Sequence, residues 1–279
     1  MIRPRSLASW RAALILASVA LSAPTSGQVT SGADTIARHE RSSYSVAAML
    51  ATAHVASVDE ALSPERYGGN GSALGIRVTR EAGARRVSVD AGINMSSALR
   101  TARTAHGLPD MRFVAYDGRV DLQRRLPALR TAGVSVLAGV ALDGRYAQRT
   151  HHLAVPDDAS AAPPENMGQD IILTLQPTIE LGRSIGSGAI AWRFGVGAIG
   201  AVLHSWAPIG SLRQPVKVQT PPALLQFDNL IAAELPVRPY ATLGVAYRMR
   251  LLRARSPITL TESRNDLALS VGWRQRSSR

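Results

Sequence analysis

The chain has 279 residues, no cysteine, 46% hydrophobic but only 5% aromatic residues, and 32 basic against 20 acidic side chains, a net charge of +12. That length allows one large domain or two small ones. Zero cysteines exclude a disulfide framework, thiolate metal sites and cysteine nucleophiles, and the lack of any apolar run near 18 residues excludes a helical membrane protein. Apart from Lys217 every basic residue is Arg, scattered without a cluster or helical stripe, so no nucleic-acid partner is expected.

Residues 1–27 read as a secretory signal peptide. Arg3, Arg5 and Arg11 flank or precede the apolar stretch 12–23, and Thr25, Ser26 and Gly27 supply small residues for cleavage. Twelve residues of helix span about 18 Å, short of a bilayer core of roughly 30 Å. Residues 28–41 follow as a periplasmic tail.

From 42 onward the dominant signal has period two. The first segment, 42–54 (SSYSVAAMLATAH), is ambiguous, because Val46, Met49, Leu50 and Ala53 also fit one face of a helix. Next, Leu74, Ile76 and Val78 alternate with Arg77 and Thr79, and Val87, Val89, Ala91, Ile93 and Met95 alternate with Arg86, Ser88, Asp90, Gly92 and Asn94. Val114, Tyr116, Val120 and Leu122 oppose Arg119, Asp121 and Gln123, while the even positions from Ala132 to Leu142 oppose Thr131, Ser135 and Asp143. Ile171, Leu173, Leu175, Ile179 and Leu181 oppose Thr174, Gln176, Thr178 and Glu180. The run 190–202, with Trp192, Phe194, Val196 and Ala198 on its apolar side, and the segments 227–235, 241–251 and 267–273 complete the set. With 42–54 counted as a strand there are ten.

Short connections at 82–84, 125–130, 183–188 and 236–239 alternate with long ones at 97–110, 148–169, 205–224 and 252–264. Antiparallel strands crossing an outer membrane connect in this way, with short turns at the periplasmic end. Segments of about 9 to 13 residues exceed the 5 or 6 usual in soluble sheets. Mid-strand positions of apolar parity carry no charge, as lipid contact requires. The other parity mixes Gly, Ser and Thr with both signs of charge, which suits a narrow polar lumen. Aromatics such as Tyr116, Trp192, Tyr247 and Trp273 are placed to form girdles. The fold class expected is therefore all-β: a closed antiparallel up-and-down transmembrane β-barrel of about ten strands over 42–273, with 274–279 as a C-terminal tail.

In these features the chain resembles the small outer-membrane β-barrel proteins of Gram-negative bacteria, at the level of architecture and of no particular subfamily. The resemblance implies a place in the cell outer membrane, contact with its lipid and lipopolysaccharide, and insertion by the barrel-assembly machinery. That machinery would read Leu267, Leu269, Val271 and Trp273 as a C-terminal assembly signal. Ten strands is also the number in the omptin proteases, and similarity to those would imply paired acidic residues and a His-Asp couple at the external rim. No such pattern is read here: Asp157 and Asp158 lie beside His151 and His152, but in a Pro- and Ala-rich loop.

A ten-stranded barrel is narrow and its interior is filled by side chains. The inward parity carries Arg77, Arg86, Arg119, Arg145, Arg193 and Arg248 against Asp90, Asp121, Asp143, Glu180, Asp228 and Glu234, a near balance of sign. Tight turns at 82–84 and 183–188 predict two cross-strand lumen pairs, Arg77 with Asp90 and Glu180 with Arg193. His151 and His152 on an extended segment point apart, so no metal site is expected there. His204 and Ser205 as base and nucleophile lack an identifiable acidic orienter and face opposite sides of a strand. No phosphate-binding loop or dinucleotide fingerprint is present, so neither a cofactor nor an enzymatic activity is expected. The function expected is a structural or surface-interaction barrel with a charge-paired lumen. A narrow channel for ions or small solutes, a rim hydrolase and a soluble periplasmic barrel are the alternatives.

Overall fold

The computed structural model of the chain describes residues 42–59, 63–101, 111–127, 133–152, 165–205, 216–255 and 259–276. The expected signal peptide and tail, and Asp157 and Asp158, lie outside the described residues. The strands are β1 (Ser42–Asp59), β2 (Ser63–Ala82), β3 (Arg85–Leu99), β4 (Met111–Arg125), β5 (Val134–His152), β6 (Glu165–Ile185), β7 (Gly188–Val196), β8 (Ile199–Ser205), β9 (Lys217–Gln219), β10 (Leu224–Arg238), β11 (Ala241–Ala254) and β12 (Leu260–Arg276). Each pairs antiparallel with its neighbours, β12 closes on β1, and β5 joins β6. Because β7 and β8 both pair with β6, they form one staved strand with a break at Gly197 and Ala198. The result is a closed barrel of ten strands in up-and-down order, with β9 as a short addition on β8.

The alternation decides which way each strand faces. Leu50, Leu74, Val140, Leu173, Leu243 and Leu269 are exposed on the outer wall, while Asp90, Arg119, Asp121, Thr174, Gln176 and Asp228 are buried inside. Val140 and Leu142 thus face outward as the reading of 132–142 requires; Val136, of the same parity, is covered, and its carbonyl accepts from the Leu126 amide where the turn returns. The apolar side is outside and the polar side inside, the inverse of a soluble barrel.

Three turns at one end have two residues each, at Gly83–Ala84, Gly186–Ser187 and Pro239–Tyr240. Gly83 and Gly186 adopt φ of 56° and 57°, which hairpin turns with the twist of the strands demand and glycine supplies without strain. Around this end Tyr240 stacks on Trp273 at 5.5 Å, while Tyr116 meets Tyr146 at 6.0 Å near the other, two aromatic levels bounding the apolar band.

At the far end the strands continue well past the band. The 18 residues of β1 rise about 40 Å at a tilt near 45°, against an apolar band about 25 Å tall, so some 15 Å of paired strand stands clear of it. This corrects the loop boundaries read at 97–110, 148–169 and 252–264: β5 runs to His152, paired with Glu165, and β11 and β12 reach Ala254 and Leu260. It also settles 42–54 as strand, hydrogen-bonded on both sides out to Asp59. The end of β12 likewise takes in Arg274, Gln275 and Arg276, part of the expected 274–279 tail.

Inside the far half, two apolar clusters close the lumen: Val55, Tyr67, Leu99, Met111 and Phe113 on one side, and Ile172, Val202, Leu224, Leu252 and Leu260 on the other. Val202 corrects the reading of 190–202 as one uninterrupted alternation. The break at Gly197 and Ala198 shifts the phase by one residue, and that turns Val202 and His204 inward.

Candidate functional site

Between the short turns and the apolar clusters the lumen is occupied by ion pairs. Nine arginines and nine carboxylates contributed by nearly every strand are paired there among the described residues. Nearest the short turns, Arg86 on β3 donates to Glu180 on β6 at 2.7 Å and to Gln123. One step further in, Arg77 grips Asp90 with both prongs of its guanidinium, at 2.6 and 2.9 Å.

Glu180 and Arg193 stand opposite each other in the ladder, as the tight turn at 186 requires, but they are not partners. Arg193 instead donates to Asp121 at 2.9 Å, and Glu180 is taken by Arg86. The expected Glu180–Arg193 pair is therefore corrected. In so narrow a cylinder a long guanidinium reaches the facing wall as easily as the adjoining strand.

Arg119 lies at the centre. It is 2% exposed and donates to Asp121 at 2.8 and 3.0 Å, to Gln176 at 3.1 Å, and to Asp228 on the opposite wall. Asp228 also holds Arg248 at 2.8 and 2.7 Å. Above it, Asp117 accepts from Arg250 at 2.8 Å and from Arg264, and Asp143 accepts from Gln226 at 2.6 Å. Arg145 reaches across to Glu262, which Arg149 also holds at 3.0 Å. Of the inward charges expected from sequence only Glu234 stands apart, exposed at the mouth beside the short turns.

A buried charge is tolerated only when paired and hydrogen-bonded, and every additional hydrogen bond of this network serves that end. On one side the network faces a wall of small residues, Ala51, Ala73, Gly75, Gly92, Ala246 and Ala268, which leaves a cavity of about 90 Å³, room for a few waters.

Sequence reading missed Asp117, Arg149, Asp170, Arg250, Glu262, Arg264 and Asp266. All share the inward parity of their strands, a signal that was lost because several of those strands were ended too early. It also missed an acidic neighbour for His204. The phase shift before β8 turns His204 toward β6, where its Nδ1 is hydrogen-bonded to Asp170 Oδ1, and Arg149 donates to the same carboxylate. This corrects the statement that no acidic orienter exists. The couple is enclosed: Asp170 is fully buried and His204 nearly so. Among the described residues no three His, Asp or Glu side chains are grouped as metal ligands.

A closed ten-stranded meander with an apolar outer wall, aromatic levels and a polar, side-chain-filled interior is the fold of outer-membrane β-barrel proteins. The chain matches no protein-family model and no curated protein sequence. Among solved structures it is similar to the outer-membrane protease OmpT from Escherichia coli, with a TM-score of 0.53 and 6% identity over 87% of this chain and 99% of that one. It also matches the translocator domain of the autotransporter NalP from Neisseria meningitidis, with a TM-score of 0.42 and 10% identity over 95% of this chain and 97% of that one. At 6% identity the likeness to OmpT concerns the fold alone.

Proposed function

We propose that the protein resides in the outer membrane of a Gram-negative cell as a non-conducting barrel, exported by its N-terminal signal and inserted by the barrel-assembly machinery through the segment ending at Trp273. Its role is structural or one of surface interaction. The rigid wall carries strand extensions above the lipopolysaccharide, where neighbouring molecules meet them.

The observation that supports this reading best is Arg119, whose guanidinium joins β4 to β10 across the axis. An ion following the lumen would have to displace that bridge, then the Asp117 and Glu262 pairs, then the apolar clusters. The same features disfavour a narrow channel, and the enclosure of Asp170 and His204 disfavours a rim hydrolase.

Two measurements test the proposal. The folded protein, identified by a mobility shift between unboiled and boiled samples and by resistance to carbonate extraction, is expected to give no conductance steps in a planar bilayer. Discrete steps that change on Arg119→Gln would establish the channel instead, and full carbonate extraction would remove the membrane assignment.

A further inference from the structure

Among the described side chains, the outer wall carries charge of a single sign. Among residues of lipid-facing parity whose side chains are described, Arg80, Arg85, Arg124 and Arg183 lie just below the apolar band and Arg66, Arg112 and Arg253 above it, and no Asp or Glu occurs. Arg85 and Arg124 are direct cross-strand partners on the last rung between β3 and β4. Arg80 stands one strand away on β2, opposite Tyr44, with its guanidinium 5.6 Å from the centre of that ring. Like charges directly opposed destabilise a ladder. The acid closest in sequence, Glu81, has lumen parity and stands opposite Arg86, and neither Arg85 nor Arg124 has a carboxylate partner among the described residues.

We propose that Arg85 and Arg124, flanked by Arg80, bind the phosphate of an anionic phospholipid in the periplasmic leaflet. The inference rests on the outer-membrane reading above, which makes the short-turn end periplasmic. The stems of both arginines continue the apolar rows of Val87 and Val89 and of Leu122 and Val120, so their heads lie at the level marked by Tyr44, Tyr240 and Trp273, where phosphates are found. Two guanidinium forks side by side offer several charge-assisted hydrogen bonds to one phosphate and remove their mutual repulsion by holding it. A lipid is favoured over a free anion because acyl chains attached to that phosphate would cover the same apolar rows.

The test uses the full folded chain in a maltoside detergent. Native mass spectrometry would follow retention of phosphatidylglycerol, phosphatidylcholine and inorganic phosphate by the wild type and by R85Q/R124Q. The wild type should retain phosphatidylglycerol about tenfold better than phosphatidylcholine, and the double variant should lose that preference while keeping its unboiled mobility. Equal retention of the two lipids by the wild type, or a preference that survives in R85Q/R124Q, would overturn the proposal. Displacement of phosphatidylglycerol by millimolar inorganic phosphate would overturn its lipid specificity. If the wild type shows no heat-dependent mobility shift, it is the membrane reading that fails, a result distinct from a folded barrel without lipid preference.

Discussion

Arg119, 2% exposed, holds Asp121, Asp228 and Gln176 at once and so joins β4 to β10 across the lumen. Removing one partner of a buried ion pair costs about 3 to 5 kcal/mol, because the charges left behind are not resolvated. Asp121 would keep Arg193 and Asp228 would keep Arg248, so Arg119→Met should fall near the lower figure, about 3 kcal/mol, in urea unfolding followed by tryptophan fluorescence. Arg253→Gln, at an exposed outer position, should stay within about 0.5 kcal/mol. If the two variants shift the midpoint equally, the lumen network is not what holds the walls together. At this scale the sequence disclosed which charges face inward wherever alternation was visible, as at Arg77, Asp90 and Arg119. It could not disclose who pairs with whom, since Arg86 finds Glu180 across the lumen, 94 positions away in the chain, and no local pattern encodes that.

Strand β5 shows what the element scale adds. Gly139 sits on the inward parity opposite Gln123, and a Cβ there would stand 1.9 Å from the carbonyl oxygen of Leu122 and 2.7 Å from the Cα of Gln123. Backbone cannot retreat as a side chain can, so Gly139→Ala must part β4 from β5 at that rung. The expected cost exceeds the roughly 1 to 3 kcal/mol of ordinary overpacking. It should appear as a smaller fraction of heat-modifiable, folded barrel after refolding; an unchanged fraction would show that the rung is not so tightly closed. Element existence was legible because a two-faced strand must alternate. Element ends were not, because beyond the membrane both faces meet water or lumen and the alternation loses its cause: β1 past His54 and β5 past Tyr146 continue by pairing alone. The break at Gly197 and Ala198 was hidden for a related reason, since apolar residues continue through it while their direction changes.

For the whole molecule, the inverted arrangement follows from one physical condition, that hydrocarbon surrounds the cylinder. Outside it, Leu, Val and Ile need no partner; inside it, the arginines and carboxylates paired among the described residues are equal in number, neutralise one another and close the axis. This was the most legible level of all, because ten two-faced segments joined by alternately short and long connections admit few other closures. What the barrel meets at its surface was not legible, as no residue spacing specifies it. The condition itself is open to direct measurement, and the absence of any native cysteine makes each introduced one unique. Single cysteines at positions 266 to 271 on β12, spin-labelled in liposomes, would report collision with dissolved oxygen, which concentrates in hydrocarbon. Maxima at Leu267, Leu269 and Val271 with minima at Asp266, Ala268 and Ser270 are predicted; maxima on the even positions, or no two-residue period, would contradict the orientation on which the account rests.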